Sequence, residues 1–224
     1  MQEFYSTFLG PGDLTFDIGA NHGDRVETFL ALGARVVAVE PQPHCLEDLQ
    51  RRFGGRDDVT ILAAAVDERR GQAVLHLSNN DMVSSLSEEW IARVRAGGRF
   101  DDSVWDRQMT VATVTLDDLI DVHGTPAFVK VDIEGAELRA LRGLHRAVPA
   151  LSFEYTPEDV DNAVRCIRLL QELAEYRFDM SAGETLLMEI GEYVPAEEAI
   201  DRLLAVAGRP GAISGDVYAV LSRR

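Results

Sequence analysis

The stretch Leu14 to Gly23, L-T-F-D-I-G-A-N-H-G, followed by the acidic Glu40 at the end of the next apolar run, constrains this chain more than any other feature. Leu14, Phe16 and Ile18 predict a short apolar strand, and Gly19 and Gly23 a turn whose backbone can approach a ligand closely. A helix over Asp24 to Leu32 then points its unpaired N–H groups back at the turn, a place suited to a carboxylate or phosphate. After Gly33, Arg35 to Val39 predicts a second buried strand closed by Pro41, with Glu40 placed to accept the hydroxyl protons of a ribose. The unit is a strand, turn, helix and strand shaped for a nucleoside.

The spacing of the glycines separates two cofactors. A dinucleotide fold carries G-x-G-x-x-G, whereas this chain has G-x-x-x-G with Asp17 at the first strand's end, where it would repel a pyrophosphate and attract an aminium or sulfonium group. S-adenosylmethionine has both cations, a ribose and a carboxylate. A βαβ unit whose glycines only make a tight turn is the alternative reading.

The 224 residues suit one α/β domain, expected over 1–224. A net charge of −16 disfavours nucleic acid, which needs a basic surface, and favours a small-molecule partner. Cys45 and Cys166 are the only cysteines, so there is neither a disulfide framework nor a zinc spacing pattern, in keeping with a cytoplasmic protein. No apolar run reaches the roughly 18 residues of a membrane span. The pattern specifies no oligomeric state. Of 22 basic residues all but Lys130 are arginine.

Further along, helices are expected at 43–53, 88–95, 116–122, 134–144, 157–175 and 195–206, and strands at 59–66, 72–77, 109–115, 127–131, 150–154, 176–180 and 216–221. Alternating strands and helices imply a mostly parallel sheet covered on both faces, with ligands beyond the strands' carboxyl ends. Asp17, Glu40, Asp67, Asp132 and Glu154 all fall at such ends. The polar segment 78–108, holding Trp90 and Trp105, stands apart as an acceptor-side insert or lid.

F-D-I-G-A-N-H-G at 16–23, V-E-P at 39–41, S-S-L at 84–86, T-L-D-D-L at 115–119 and V-K-V-D-I-E-G-A-E at 129–137 together resemble the FkbM-type S-adenosylmethionine-dependent methyltransferases. The blocks keep the family's order and span most of the chain; V-K-V-D-I-E-G is the specific one. The resemblance implies a class I methyltransferase fold, with a seven-stranded sheet whose last strand is antiparallel, and O-methyl transfer to a hydroxyl of a sugar or secondary metabolite. It places Asp17, Gly19, Asn21 and Gly23 around the methionine part, Glu40 and Pro41 at the ribose, and Ala65, Val66 and Asp67 by the adenine. The chain departs from the family in having only about 13 residues before the first strand.

For the chemistry, Lys130 and Asp132 share one face of a strand, and Glu154 ends a neighbouring strand. Asp132 is the candidate to hold the substrate hydroxyl or act as its base, beside the cofactor's methyl, with Lys130 and Glu154 setting its charge. Lys130 as a plain ion pair, and Glu134 as a helix-dipole residue rather than a substrate contact, are the competing readings. Ser84 and Ser85 are candidate acceptor contacts or helix caps, and Trp90 a pocket wall or part of a core. Asp132, Glu134 and Glu154 are hard donors capable of holding magnesium or calcium if they converge, although no metal is expected. His22 reads as a base or, preferably, a solvent-facing turn residue, and His44, His76, His123 and His145 share no spacing that suggests a site. An NAD-dependent oxidoreductase and a non-catalytic cofactor-binding module are the rival functions.

Overall fold

The computed structural model describes residues 1–222, apart from the side chain of residue 184. A short helix, α1 (Gln2–Tyr5), precedes β1 (Leu14–Ile18), α2 (Asp24–Ala31), β2 (Arg35–Val39), α3 (Pro43–Phe53) and β3 (Val59–Leu62). The chain continues through β4 (Ala65–Val66), β5 (Gly71–Ser78), α4 (Glu88–Ala96) and β6 (Trp105–Val114). The remainder is α5 (Leu116–His123), β7 (Phe128–Val131), α6 (Glu137–Arg142), β8 (Ala150–Tyr155), α7 (Val160–Leu173), β9 (Tyr176–Ala182), α8 (Ala196–Ala207) and β10 (Gly215–Leu221).

Seven strands form one sheet in the order β3-β2-β1-β7-β8-β10-β9. β1, β2, β3, β7 and β8 pair in parallel, and β10 runs antiparallel to both its neighbours. This is the class I methyltransferase arrangement. Strand order reverses between β1 and β7, so the cleft opens beyond the carboxyl ends of these two strands.

Each face of the sheet has its own core. Phe16, Ile18, Val129, Val131, Leu151 and Phe153 pack with residues of α5, α6, α7 and α8. On the other face Phe128, Ala150 and Tyr218 pack with Tyr5, Val26, Phe29, Leu49 and Phe53. That second core explains α1, which no helical pattern announced: Tyr5 is fully buried, edge-on to Phe29 and tilted against Phe128.

The run 59–66 divides instead of forming one strand. Val59–Leu62 pairs with β2, the chain turns as Ala64 N–H donates to the Leu62 carbonyl, and Ala65–Val66 joins β6 in a second sheet of order β4-β6-β5. The expected helix at 134–144 shortens to α6, because Glu134 and Gly135 lie at φ of +53° and +85° and make a turn before it. Thr115 caps α5 as expected, in a reciprocal box with Asp118. Among the described residues no helix is long and apolar enough to cross a membrane.

Candidate active site

The cleft at the strand reversal contains a cavity of about 280 Å³. Its lining includes the loop Gly19–Gly23 and the first residues of α2, Asp24 and Arg25, and the N-terminus of that helix has no side-chain cap on its unpaired N–H groups. Gly19 sits at φ +84° with its Cα so close to β7's exit that a Cβ there would lie 1.9 Å from the Asp132 carbonyl oxygen. Only glycine lets these backbones meet.

Glu40 is buried at the side of the cavity and fixed by two backbone donors, Asn21 N–H at 2.9 Å and Gln42 N–H at 2.8 Å. Burial raises its carboxyl above the usual range while the two N–H groups oppose that rise. A carboxylate has about four acceptor positions, so the oriented group keeps capacity for ribose hydroxyls. Pro41, Ala65 and Val66 line the wall with Leu75, an apolar slot suited to a flat base. Asp17, expected at the cofactor, does not line the cavity: it is buried, and its Oδ2 has no hydrogen-bond partner in the structure. Burial pushes its carboxyl up to about 7 against the pull of Arg25 and Lys130. The lining residues fit a ligand with a ribose and a flat base.

The opposite end of the cavity is acidic. Asp132, Glu134 and Glu154 line it and bring one carboxylate oxygen each within 4.8 Å of the others. Glu134 and Glu154 are each raised well above the carboxylate range, first by burial and then by neighbouring carboxylates. The pair therefore holds a proton where isolated carboxyls would not. The triad has the hard-oxygen donor set for magnesium or calcium.

Lys130 lies behind this wall, not in it. It is 1 % exposed, with its Nζ donating to Asp132 Oδ2 at 3.0 Å and to Asp216 Oδ1 at 2.7 Å. Burial would lower the ammonium, yet the two carboxylates raise it well above the usual lysine value. The competing reading, an ion pair, describes its geometry: Lys130 orients Asp132 and has no surface on the cavity. Asp216, contributed by β10, is a partner that sequence spacing did not reveal.

Besides Asp17, three further expected contacts are placed elsewhere. Asp67 does not line the cavity; it receives Arg139 Nε at 3.0 Å in a forked ion pair. Ser85 is fully buried and donates to the Glu134 carbonyl, so it secures the turn and does not face the cavity. Trp90 is also fully buried: its indole packs on Gly135, where a Cβ would lie 2.2 Å from Cγ, and Nε1 donates to Thr156 Oγ1 at 2.8 Å. It belongs to the small core of Val83, Ile91 and Val94. Ser84, in contrast, lines the cavity and donates to Gln42 Oε1 at 2.8 Å.

Gln42 and Asp81 escaped the sequence reading. Gln42 directly follows the V-E-P block, a position that could have flagged it, and its Nε2 donates to the Asp81 carbonyl at 3.0 Å. Asp81 belongs to the irregular segment 78–108, where no periodicity marks a side chain. His22 does not simply face solvent: it lines the cavity and its Nδ1 meets Asp48 Oδ2 at 2.8 Å.

The buried acids give stability a definite pH dependence. Burial pushes Glu137, like Asp17, up to about 7. A carboxyl whose native pKa exceeds its unfolded value binds more protons folded than unfolded between about pH 4 and pH 7, so stability falls as pH rises through that window. At full effect each group contributes at most about 3 to 4 kcal/mol. Ligand-free protein is expected to melt at higher temperature at pH 5.5 than at pH 8, and Asp17→Asn to flatten the profile. A melting temperature that falls on acidification over this range contradicts the assignment.

The family model described as the methyltransferase FkbM domain matches residues 17–180, whereas no curated protein matches the chain. Among solved structures, the precorrin-6y C5,15-methyltransferase of Geobacter metallireducens is similar at a TM-score of 0.52 and 12% identity, covering 98% of this chain and 86% of its own. A candidate rRNA methylase of Clostridium thermocellum is similar at 0.51 and 7% identity, covering 100% of this chain and 94% of its own. At such identities the likeness is one of fold. The family match spans the glycine loop, Glu40 and the acidic cluster, and by it this chain belongs to the methyltransferase FkbM domain family, a family of S-adenosylmethionine-dependent methyltransferases.

Proposed function

We propose that the protein transfers a methyl group to a hydroxyl of a small molecule, a sugar or another secondary metabolite. The observation that carries this reading is one continuous cavity with an oriented carboxylate, Glu40, at one end and the Asp132–Glu134–Glu154 cluster at the other. Gly19, Asn21 and Gly23 would hold the amino-acid part of S-adenosylmethionine. Glu40 would hold the ribose, with Ala65 and Val66 beside the base. When bound, the cofactor supplies an electrophilic methyl group on a sulfonium.

The chain's own task is then to aim an acceptor oxygen and receive its proton. Alignment is the larger contribution, about 7 to 11 kcal/mol, against some 3 to 5 kcal/mol from a positioned base. Asp132 is suited to the second role because Lys130 fixes its Oδ2 from behind, leaving Oδ1 for the acceptor hydroxyl. The proton held between Glu134 and Glu154 lets that pair donate as well as accept, which suits a polyhydroxylated acceptor. Segment 78–108, held over the cleft by Gln42 and Ser84, forms the lid in this reading. The net charge of −16 makes a nucleic acid acceptor unfavourable.

Calorimetric titration with S-adenosylmethionine, S-adenosylhomocysteine and NAD tests the cofactor assignment, followed by a panel of hydroxylated acceptors scored by S-adenosylhomocysteine release. Micromolar binding of the first two is expected, weakened roughly 10- to 100-fold by Glu40→Ala through loss of the ribose bonds. Binding of NAD alone, or wild-type affinity in Glu40→Ala, refutes the placement.

A further inference from the structure

A second group of donors gathers at the outer lip of the cavity, away from the three carboxylates. His44 and Cys45 stand in the first turn of α3, His22 in the glycine loop, and Asp81 in the 3₁₀ turn Asp81–Val83. His44 Nε2 is 2.8 Å from Asp81 Oδ2 and 3.4 Å from Cys45 Sγ. His22 Nε2 is 3.5 Å from Asp81 Oδ2, and one donor atom each from His22, Cys45 and Asp81 falls within 4.8 Å of the others. Around a tetrahedral ion with metal–nitrogen and metal–sulfur bonds of about 2.0 and 2.3 Å, ligand atoms sit roughly 3.3 to 3.6 Å apart. His22, Cys45 and Asp81 are gathered close to that spacing before any ion binds, while His44, in contact with Asp81 and Cys45, has its ring centre 6.1 Å from that of His22 and completes the set by a turn of its exposed ring.

The surroundings of His22 add an independent observation. Asp48 Oδ2 lies 2.8 Å from His22 Nδ1, and Asp48 is itself held by Arg51 at 2.7 Å. An ionised carboxylate only accepts, so the Asp48 contact is made by a protonated Nδ1, and Nε2, which faces Asp81 Oδ2 at 3.5 Å, is the nitrogen left to bind an ion in place of a proton. A carboxylate behind a histidine is the usual support of a metal-binding imidazole, fixing both tautomer and ring orientation.

We propose that His22, His44, Cys45 and Asp81 bind one divalent transition-metal ion of the zinc class. Two imidazoles, a thiolate and a carboxylate form a donor set too soft for magnesium or calcium and matched to zinc or cobalt. On binding, Cys45 gives its thiol proton to solvent and its sulfur lone pair to the metal; thiolate and carboxylate then balance the ion's two charges. Four protein ligands make a closed, structural site, with no position left for a reacting water. The ion joins the glycine loop, α3 and segment 78–108, whose Asp81 carbonyl already accepts from Asn21 Nδ2 at 3.4 Å and Gln42 Nε2 at 3.0 Å. It thus fastens that segment across the cleft. The proposal stands independently of which acceptor the enzyme methylates.

The test is titration of the chelator-stripped, reduced full chain with Co²⁺, followed by absorption, with Zn²⁺ as displacer. One equivalent is expected, with the visible bands of four-coordinate cobalt and a thiolate-to-cobalt charge-transfer band, both removed by zinc. Cys45→Ser should abolish the charge-transfer band, and His44→Ala and Asp81→Asn each weaken binding roughly tenfold or more. Cys166→Ser and Asp132→Asn should leave the spectrum unchanged. His44 is half exposed, so its variant carries the test if Cys45→Ser fails to fold. Absence of saturable binding, or a charge-transfer band that survives Cys45→Ser, overturns the site. Loss of the spectrum in Asp132→Asn does so too, by moving the ion to the acidic cluster. S-adenosylhomocysteine affinity, measured on the stripped protein, reports separately on the cofactor assignment.

Discussion

Gly19→Ala is expected to leave the protein either unable to fold or melting roughly 10 °C or more below wild type, with no measurable affinity for S-adenosylhomocysteine. The added methyl would lie 1.9 Å from the Asp132 carbonyl oxygen, which is backbone and has no rotamer to escape into. Nor can the strands part: the Gly19 N–H donates to Val39 at 2.9 Å, and the Asp132 N–H donates to Ile18 at 2.9 Å. A backbone clash at a positive φ belongs to the class of substitutions costing about 4 kcal/mol or more, and in a chain of this length about 1 kcal/mol shifts the midpoint by about 2 to 4 °C. Gly12 supplies the control, having φ +86° and open space within 4 Å of where a methyl would stand. Gly12→Ala should cost only about 1 to 2 kcal/mol, the conformational share. Equal melting temperatures for the two variants would refute the close-approach argument.

Asp132→Asn is expected to lower turnover by about 10²- to 10⁴-fold, the range for loss of a positioned base. Asparagine keeps an oxygen toward Lys130, so the buried ammonium remains paired with one neutral acceptor and with Asp216, and the fold should survive. Because S-adenosylhomocysteine carries no sulfonium charge, its affinity should change only severalfold. The informative readout is the split between that affinity and turnover, measured with an acceptor from the hydroxyl panel. Turnover within threefold of wild type would remove Asp132 from the chemistry and leave alignment as its whole contribution.

The glycine loop, Glu40 and the carboxyl ends of β7 and β8 were legible in the sequence because each depends on local order: a glycine pair at fixed spacing, an acid closing an apolar run, a helix following. Residues whose environment comes from distant chain were not. Asp216 reaches Lys130 across 86 positions, and Trp90 finds its place beneath Gly135 and against Thr156, far outside any periodic window. The expectation for Asp67 failed for a related reason: the run 59–66 is largely apolar, so its pattern could not show the break after Leu62 that hands Asp67 to Arg139. Glu134 looked like the start of a helix because carboxylates favour that position, but Glu137 occupies it. His22 shares no spacing with His44 and Cys45 because it reaches α3 from the glycine loop, and Asp81, which meets both histidines, comes from the segment 78–108.

The chain's only side-chain primary amine is that of Lys130, sealed at 1 % exposure between two carboxylates. An acylating reagent therefore finds no lysine on the folded surface, whatever its size, and can reach this one only when the sheet opens around β7, β8 and β10 and frees the amine from Asp132 and Asp216. Incorporation of a single label at position 130, followed by mass spectrometry against time, would count openings of the sheet's centre one molecule at a time. The protein thus contains its own unfolding clock, and an added lysine on the surface would give an immediate signal against which to set it.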